Sequence, residues 1–259
     1  MTIAKLAPDP IQGVDLNGDD IDEISSEDGL PVSEAVYWEN YYEKADHSYE
    51  WNNGRLELKP MADYEQYRMY DWFVALLRAY LGVQPIAKLV ALEIGFRLKL
   101  SKKVTIRKPD LFVVRNDNPI AIAGPDRSYK GICDLAVESL SDSTKKEVER
   151  DTVHKKAEYA GVGVYEYYIL DARGKRMAFY RLNPRGTYDN IQPDAAGVIS
   201  SNVLPGFRFR IDDLYRQPAP LDMADDPVYQ LFVLPEYQAE KKRAERLAAR
   251  LRALGLDDE

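Results

Sequence analysis

The sequence is poor in the residues that most often hold transition metals in proteins. Among its 259 residues there is one cysteine, Cys133, and there are two histidines, His47 and His154. A single cysteine excludes a disulfide within the chain and favours a reducing compartment, the cytoplasm. A zinc site of the usual cysteine and histidine kind is nearly excluded as well. Any metal site is therefore expected to use oxygen ligands, which favour Mg²⁺, Mn²⁺ or Ca²⁺.

Long apolar runs are also missing. No stretch approaches the roughly 20 consecutive apolar residues that cross a bilayer. The first residues do not combine a basic segment with an apolar one, as a signal peptide does. We therefore expect no membrane partner. Hydrophobic residues nonetheless make up 45% of the chain, enough for the core of one large domain with appendages.

Basic residues are scarce at the N-terminus. Residues 1–30 carry eight acids and one base, so this segment holds a charge of −7 out of a total of −8. Its richness in Asp, Pro, Gly and Ser predicts a disordered acidic tail, with Ile21 or Ile24 as side chains that could dock briefly on the body. The rest of the chain is close to neutral. This balance argues against a general nucleic-acid coat but allows a local basic cleft.

The most basic stretch runs over residues 97–108 and contains no acid. On pattern alone it is either a solvated hairpin tip or a wall that faces phosphates. The second interpretation makes six side chains candidates for nucleic-acid binding: Arg97, Lys99, Lys102, Lys103, Arg107 and Lys108.

Residues 134–171 are the stretch around which the rest is organised. An apolar run over residues 133–140 predicts a short strand that ends in a charged residue, Glu138. A second apolar run, over residues 164–170, predicts another strand. The segment between them is helical, so the connection is a crossover and the two strands are expected to be parallel.

The helix between these strands has a clear start and stop. Thr144 with Glu147 fits a capping box, and Gly161 is expected to end the helix. A spacing of four residues places three polar side chains on one face: Asp151, Lys155 and Tyr159.

The remaining patterns predict strands and one long helix. They comprise a hairpin over 48–59 with its turn at Asn53-Gly54, a helix over 63–81 ended by Gly82, a strand over 88–100 with a slip near Ile94, an apolar strand over 111–114, a strand over 176–182, a turn-rich segment over 183–201 and a last strand over 204–211. We therefore predict an α/β domain (α+β, with a mixed sheet) over residues 31–215, and a Pro- and Asp-rich linker over 216–234.

Residues 235–259 predict a helical tail. Six residues fall on alternating steps of three and four and form a short coiled-coil-like seam: Tyr237, Glu240, Ala244, Leu247, Leu251 and Leu254. The seam is too short to be stable alone. It could pair with its twin in a homodimer, with another protein through residues 235–254, or with the body; we favour a partner helix.

Three acids and a lysine suggest chemistry when they are taken together: Glu57, Asp110, Glu138 and Lys155. Asp110 and Glu138 each stand at the end of a predicted strand, so neighbouring strands would bring their carboxylates together. Two carboxylates around a divalent ion and a nearby positive group are what phosphodiester hydrolysis requires. Each residue also has a structural interpretation: Asp110 as a turn residue, Glu138 as a helix cap, and Asp151 with Lys155 as an exposed ion pair.

These residues stand in motifs that resemble a known family. Lys108-Pro109-Asp110 before an apolar strand resembles the first half of the PD-(D/E)XK nuclease signature. The segment VESLS over 137–141, the D-x-x-x-K-x-x-x-Y pattern from Asp151, and GVGVYEYYILD over 161–171 resemble the Uma family of restriction-endonuclease-like proteins. NGRLEL over 53–58, LPGFRF over 204–209 and the Arg- and Leu-rich tail are similar to that family too, so the resemblance spans about residues 35–255.

The resemblance implies a restriction-endonuclease-like core, a mixed sheet flanked by helices. It also implies Mg²⁺ (or Mn²⁺) held by Asp110, Glu138 and the backbone carbonyl of Ser139, with Glu57 as an accessory acid. The chain departs from the signature at Leu140, where the superfamily has lysine, and the family's usage makes Lys155 the catalytic lysine, with Asp151 and Tyr159 as supporting residues. A histidine that the family often has is absent near residues 64–67.

Three functions follow as hypotheses. The first is a Mg²⁺-dependent endonuclease that hydrolyses phosphodiester bonds, in DNA. The second is an inactive descendant of the same fold that acts as a binding or assembly module through its C-terminal helix. The third is a glycoside hydrolase that uses two carboxylates, for which the 18 tyrosines would supply sugar stacking; it lacks a matching β-barrel repeat.

Overall fold

The computed structural model describes residues 26–141 and 144–254. Twelve strands are present in these residues: β1 (Tyr49–Asn52), β2 (Arg55–Leu58), β3 (Ala87–Ala91), β4 (Phe96–Lys99), β5 (Val104–Arg107), β6 (Leu111–Arg115), β7 (Leu135–Ser139), β8 (Glu166–Leu170), β9 (Ala178–Leu182), β10 (Tyr188–Asn190), β11 (Val198–Ser200) and β12 (Arg208–Arg210). The helices are α1 (Glu34–Val36), α2 (Tyr64–Val83), α3 (Lys145–Glu149), α4 (Lys156–Val162), α5 (Ile211–Arg216), α6 (Pro220–Met223) and α7 (Pro235–Ala253), with π-helical turns at Tyr37–Tyr41 and Arg150–Lys155.

A six-stranded mixed sheet forms the centre of the fold, in the order β10-β9-β8-β7-β6-β3. β7 and β8 are parallel and the other neighbours are antiparallel, so the predicted parallel crossover is confirmed. Successive side chains point to opposite faces of a strand. One face therefore packs against α2 in a first core, and the other packs against α4 in a second core.

A smaller antiparallel sheet, β2-β1-β5-β4, stands beside the central one and encloses a third core. Its first hairpin turns at Asn53 and Gly54, with φ of 47° and 97°. Positive φ at both central residues is what a type I′ turn requires, which confirms the prediction.

Two short connections carry the chain between these two sheets, in addition to the longer connection through α2. One is residues 108–110, which join β5 to β6. The other is Leu92 and Glu93, which join β3 to β4 and have φ of 60° and 64°. The single strand predicted over residues 88–100 is therefore wrong: two left-handed residues break it into strands of different sheets.

The crossover helix is one continuous object, residues 145–162, which we call the composite helix (α3, the π turn Arg150–Lys155 and α4). The capping box between Thr144 and Glu147 is confirmed. The helix ends at Gly163 rather than Gly161, because Gly163 adopts the left-handed conformation, with φ 91°. In the same way α2 continues through Gly82 to Val83.

Two segments expected to be irregular contribute to the fold. Residues 183–201 contain β10 and β11. Residues 216–234 contain α6, and their apolar side chains complete the first core: Met223, Val228, Tyr229, Phe232 and Val233. The linker prediction fails because these side chains are spread among acids and prolines, without a helical or strand period.

The two termini complete the described chain. Of the predicted acidic tail, the backbone of Gly29 and Leu30 pairs with Leu56 in β2, while Ile21 and Ile24 lie outside the described residues. At the other end, Gln238 is the buried residue of α7. None of the described helices is both long and apolar enough to span a membrane.

Candidate active site

A cavity of about 300 Å³ lies where the two sheets meet. Both short connections between the sheets border it, together with the C-terminal end of β7, the start of α2 and the π turn of the composite helix. Its lining consists of Lys59, Pro60, Ala62, Tyr67, Tyr70, Leu92, Glu93, Asp110, Glu138, Ser139, Arg150, Asp151 and Lys155.

Asp110 and Glu138 meet across neighbouring strands, as the sequence predicts. β6 and β7 pair with Leu111 opposite Val137, so the next step of the register sets Asp110 opposite Glu138. Asp110 is fixed there by its Oδ2, which accepts a hydrogen bond from the backbone N–H of Ser139 at 2.7 Å. The hydroxyl of Tyr70 donates to the carbonyl of Asp110 at 2.9 Å. The position of both acids is therefore set by the sheet itself.

Glu138 is 2% exposed, and its carboxyl group contacts two side chains. The hydroxyl of Tyr159 donates to its Oε1 at 2.8 Å, and Lys155 Nζ lies 3.0 Å from its Oε2. Burial raises the pKa of Glu138 to about 8, against the lowering effect of Lys155, and the neighbouring charges of Asp151 and Asp110 add to the rise. The fold therefore shifts this carboxyl towards its neutral form.

Lys155 reaches the sheet edge from the composite helix. Besides Glu138, its Nζ lies 3.2 Å from Asp151 Oδ1 and 3.3 Å from Glu50 Oε1. Burial by itself would lower the pKa of Lys155, but these three carboxylates outweigh it and raise the pKa, so the amine stays protonated. Leu140, at the superfamily's usual lysine position, packs in the second core.

The π turn brings a further cation into the cavity. Its bonding pattern joins residues i and i+5, and Arg150 and Lys155, five apart, are both buried. Arg150 Nη1 donates to the carbonyl of Leu58 at 2.7 Å. Within the described chain, its Nε and the buried Oδ1 of Asp151, 3.8 Å apart, form no hydrogen bond. Regular α-helical spacing does not place Arg150 on the same face as Lys155, so the sequence pattern did not identify Arg150 as a site residue.

Glu50, also missed, is the acid of the first hairpin nearest to this cluster. It is fully buried: its Oε1 accepts from the backbone N–H of Lys108 at 2.8 Å, and its Oε2 from Arg107 at 3.0 Å. Burial would raise the pKa of Glu50, but Lys155 and Arg107 outweigh it and lower the pKa. Glu57, the predicted accessory acid, is its cross-strand partner. This register, readable from the Asn53-Gly54 turn, could have identified Glu50.

The structure does not bring Glu57 into the cavity. Its carboxylate binds Arg107 and accepts a hydrogen bond from Asn52 at 2.7 Å, farther along the hairpin. Burial opposes ionisation of Glu57, but Arg107 outweighs burial and lowers its pKa.

Lys59 is the second lysine of the cavity and was also missed. Its Nζ lies 3.1 Å from Asp110 Oδ1 and 2.9 Å from Glu93 Oε1, and it donates to the carbonyl of Lys108 at 2.8 Å. Burial would lower the pKa of Lys59, but the two carboxylates outweigh it and raise the pKa. No local motif marks this residue, which follows β2 directly.

The basic stretch over residues 97–108 does not form a phosphate-facing wall. Arg107 is fully buried among Glu50, Glu57 and Glu158. The buried amine of Lys108 donates to the carbonyl of Tyr42 at 2.8 Å. Both side chains are buried and neither lines the cavity, so they do not form the phosphate-facing wall that the sequence predicted.

The other four basic residues of the stretch differ in exposure. Lys103 is 2.5 Å from Glu158, and the exposed Arg97 pairs with Glu34. Lys99 is exposed at the end of β4, and Lys102 is exposed on the turn between β4 and β5. None of the four lines the cavity.

The cavity holds acids but no preformed metal cage. Over residues 26–141 and 144–254, no group of three His, Cys, Asp or Glu side chains is arranged to hold a metal ion.

A comparison with known protein families identifies this chain as similar to one of them. The model of the family described as "Uma2: Putative restriction endonuclease" matches residues 35–212, more than half of the chain. A comparison with curated proteins finds no match. The matched segment includes both sheets, the composite helix and every residue that lines the cavity.

Proposed function

The chain belongs to the Uma2 family of restriction-endonuclease-like nucleases, and we propose that it is an endonuclease that uses Mg²⁺ or Mn²⁺ to hydrolyse phosphodiester bonds in DNA. The observation that carries this proposal is the meeting of Asp110 and Glu138 across two strands, with Lys155 Nζ 3.0 Å from Glu138. The single buried cysteine supports a cytoplasmic location as part of the proposal.

The donor set at the cavity fits a hard divalent cation. Mg²⁺ is usually held by one or two carboxylates together with water and substrate phosphates, so a closed protein cage is not required. Asp110 and Glu138 would supply the carboxylates, with the carbonyl of Ser139 as a further oxygen. Two observations support room for a further positive charge: burial and the neighbouring acids raise the pKa of Glu138, and Asp151 Oδ1, although 3.2 Å from Lys155 Nζ, makes no hydrogen bond in the described chain.

The bound cation would supply Lewis-acid polarisation of the phosphate and of the attacking water. The protein would supply the remaining elements of the reaction. Lys155 stays protonated, so it acts as a fixed positive charge that stabilises the transition state rather than as a base. Asp110 is the more exposed of the two strand-end acids, and its Oδ1 lies 3.1 Å from Lys59 Nζ, so each of the two proposed ligand carboxylates lies beside a protonated amine.

The test is a calorimetric titration of Mg²⁺ and Mn²⁺ into wild type and Glu138→Gln. Cleavage of supercoiled, linear and single-stranded DNA is assayed on the same samples. We expect wild type to bind the ion and cleave, and Glu138→Gln to lose both. The matched control is Glu149→Gln, at an exposed position of the same helix, and it should leave both ion binding and DNA cleavage unchanged. Wild type that neither binds the ion nor cleaves would contradict the proposal.

A binding or assembly module is the second candidate, and α7 is the observation that favours it. Apolar side chains lie exposed along this helix: Tyr237, Leu247, Leu251 and Leu254. We propose that they pair with α7 of a second copy in a homodimer. Leu247→Glu with Leu251→Glu should then convert a dimer to a monomer in sedimentation. A wild-type monomer would instead point to a different protein partner for residues 235–254.

A further inference from the structure

Four large apolar side chains surround the mouth of the cavity and form what we call the apolar rim: Met61, Tyr64, Tyr67 and Leu92. They are 90%, 75%, 51% and 92% exposed. Tyr67 and Leu92 line the cavity, and Met61 lies between two lining residues, Pro60 and Ala62. Tyr64 stacks on Tyr67, with ring centroids 6.3 Å apart and planes at 25°.

The apolar rim is not explained by the packing of the fold. None of its four residues belongs to the three cores of the described chain. Leu92 is displayed by two successive residues in the left-handed conformation, which side chains other than glycine rarely adopt. Single exposed apolar residues are ordinary, but four around one cavity mark a binding surface.

Cations beneath the rim can receive an anionic ligand. Three of them line the cavity, Lys59, Arg150 and Lys155, beside four acids: Glu93, Asp110, Glu138 and Asp151. Both lysines are engaged with carboxylates. Arg150 lies 3.8 Å from Asp151 and donates to the carbonyl of Leu58, but its Nε makes no hydrogen bond in the described residues. A nucleotide complements an aromatic surface above a guanidinium that can still donate a hydrogen bond. Its base can stack on the aromatic ring, and its negatively charged phosphate can bind the guanidinium.

Base pairing decides which nucleic acid can use such a surface. In a duplex, both faces of each base are covered by its neighbours, and only unpaired bases can stack on a side chain. A duplex is instead gripped through many phosphate contacts along a basic face, and the basic stretch over 97–108 does not extend to the cavity, with Arg107 and Lys108 buried.

We infer that the substrate is unpaired, single-stranded DNA, with a base stacked on Tyr67 and an adjacent phosphate at Arg150. This inference rests on the proposed nuclease function and narrows its substrate class. Stacking on one aromatic side chain contributes about 5- to 150-fold to the affinity for a single strand. Tyr67 is a specificity-determining residue here, since it lines the cavity without touching Asp110 or Glu138.

The experiment measures binding by fluorescence anisotropy in EDTA, and cleavage with Mg²⁺, on the full chain. The probes are one labelled DNA strand, its duplex with the complement, and an RNA strand of the same sequence. The variants are Tyr67→Ala, Tyr67→Phe, which keeps the ring, and Arg150→Gln. The control is Tyr165→Ala, because Tyr165 is also exposed, at 41%, but lies at the start of β8, at the opposite end of the sheet.

We expect wild type to bind the DNA strand more tightly than the duplex. Tyr67→Ala should weaken strand binding and raise KM by about 5- to 150-fold with kcat little changed, while Tyr67→Phe and Tyr165→Ala behave as wild type. Arg150→Gln should weaken strand binding and reduce its salt dependence.

Three results would overturn the inference. Equal binding of strand and duplex, with Tyr67→Ala affecting both alike, removes the single-strand preference while leaving the nuclease proposal intact. Tighter binding of the RNA strand contradicts the assignment to DNA. Strand binding that does not depend on Tyr67 removes the stacking role. Tyr67-dependent binding without any cleavage would instead uphold the binding surface and refute the nuclease.

Discussion

At the residue scale, the cavity is a set of charges that hold one another in place. Lys155 lies within 3.3 Å of three carboxylates, and Lys59 binds Asp110 and Glu93. A buried charge that loses its partner is costly, because neither water nor a counter-ion replaces it. Each member of this cluster therefore contributes to stability as well as to the proposed chemistry, and the two effects can be separated by pH and by metal.

The first prediction concerns Glu138 and pH. Its pKa is about 8 in the fold, against an ordinary value of 4.5. The fold thus favours the neutral carboxyl, and this contribution to stability is complete below the ordinary pKa and is lost as the pH rises through 8. Without divalent ions, we expect the free energy of unfolding to fall between these values by up to about 1.4 kcal/mol per pH unit.

Urea denaturation in EDTA at a series of pH values measures this effect. Glu138→Gln should show a flatter pH dependence than wild type, because the amide does not titrate. Parallel curves for the two proteins would show that Glu138 is not protonated in the fold.

The second prediction concerns Lys155. Lys155→Met leaves Glu50, Glu138 and Asp151 without their common cation, so we expect a loss of about 3–5 kcal/mol in the free energy of unfolding in EDTA. Lys102→Met, on an exposed turn, should change it by less than about 0.5 kcal/mol. Adding Mg²⁺ should restore part of the lost stability to Lys155→Met but not its cleavage. A loss below about 1 kcal/mol would mean that the buried acids are neutral in the variant.

At the element scale, neither glycine that was predicted to end a helix does so: α2 continues through Gly82, and the composite helix continues past Gly161 to Gly163. Gly163 ends the composite helix in the left-handed conformation, whereas Gly82 lies inside α2 with ordinary helical geometry. A Cβ at either position would meet nothing within 4 Å. Any effect of an added methyl group therefore comes from the backbone alone.

The third prediction follows from that difference. Gly82→Ala should raise the free energy of unfolding by about 0.5–1 kcal/mol, because alanine restricts the unfolded chain and fits the helix. Gly163→Ala should lower it by about 1–2 kcal/mol, because alanine disfavours a positive φ. Thermal denaturation of both variants checks the pair. Stabilisation of both would place the end of the composite helix elsewhere.

Local signals in the sequence predict the elements whose cause is local. The Asn53-Gly54 turn, the Thr144 and Glu147 capping box and the parallel crossover are all confirmed because each depends on neighbouring residues. The break at Leu92 and Glu93 could not be predicted, because apolar alternation continues through it while the strands enter different sheets. The burial of Arg107 could not be predicted for a similar reason, because its three acidic partners are about 50 residues distant in the sequence.

The residues of the candidate site divide in the same way, into those that a local motif predicts and those that a distant contact positions. Asp110, Glu138 and Lys155 stand in motifs, and the structure brings them together at the cavity. Glu50, Lys59 and Arg150 are positioned by a sheet pairing, an inter-sheet contact and a π turn. The pairing of Glu50 with Glu57 could have been inferred from the Asn53-Gly54 turn, whereas the other two features produce no periodic pattern in the sequence.

At the scale of the whole molecule, the segments that follow α5 differ in how much they contribute to the hydrophobic core. Residues 223–233 fill the first core, whereas α7 buries Gln238 and contacts Asp225 through Lys241. The segment from α5 to the start of α7 therefore belongs to the folded body, and α7 projects from it.

The fourth prediction uses two truncations. A chain that ends at Leu234 should lose about 2–4 °C in Tm, equivalent to about 1 kcal/mol, because few contacts are removed. A chain that ends at Gln217 should fail to fold, because it exposes the first core. Differential scanning calorimetry distinguishes them, and a stable protein ending at Gln217 would restore the linker interpretation.

The pairing of Asp110 with Glu138 also has a consequence for where insertions can be accepted as the sequence evolves. Their separation is set by the ladder between β6 and β7. Asp134, the last residue of the connection over 116–134, extends this ladder by donating its backbone N–H to the carbonyl of Val113 at 2.9 Å. The exposed tip of that connection, Ala123 to Pro125, can therefore accept extra chain without disturbing the acids. New recognition modules could be acquired at this tip while the hydrolytic chemistry is inherited unchanged.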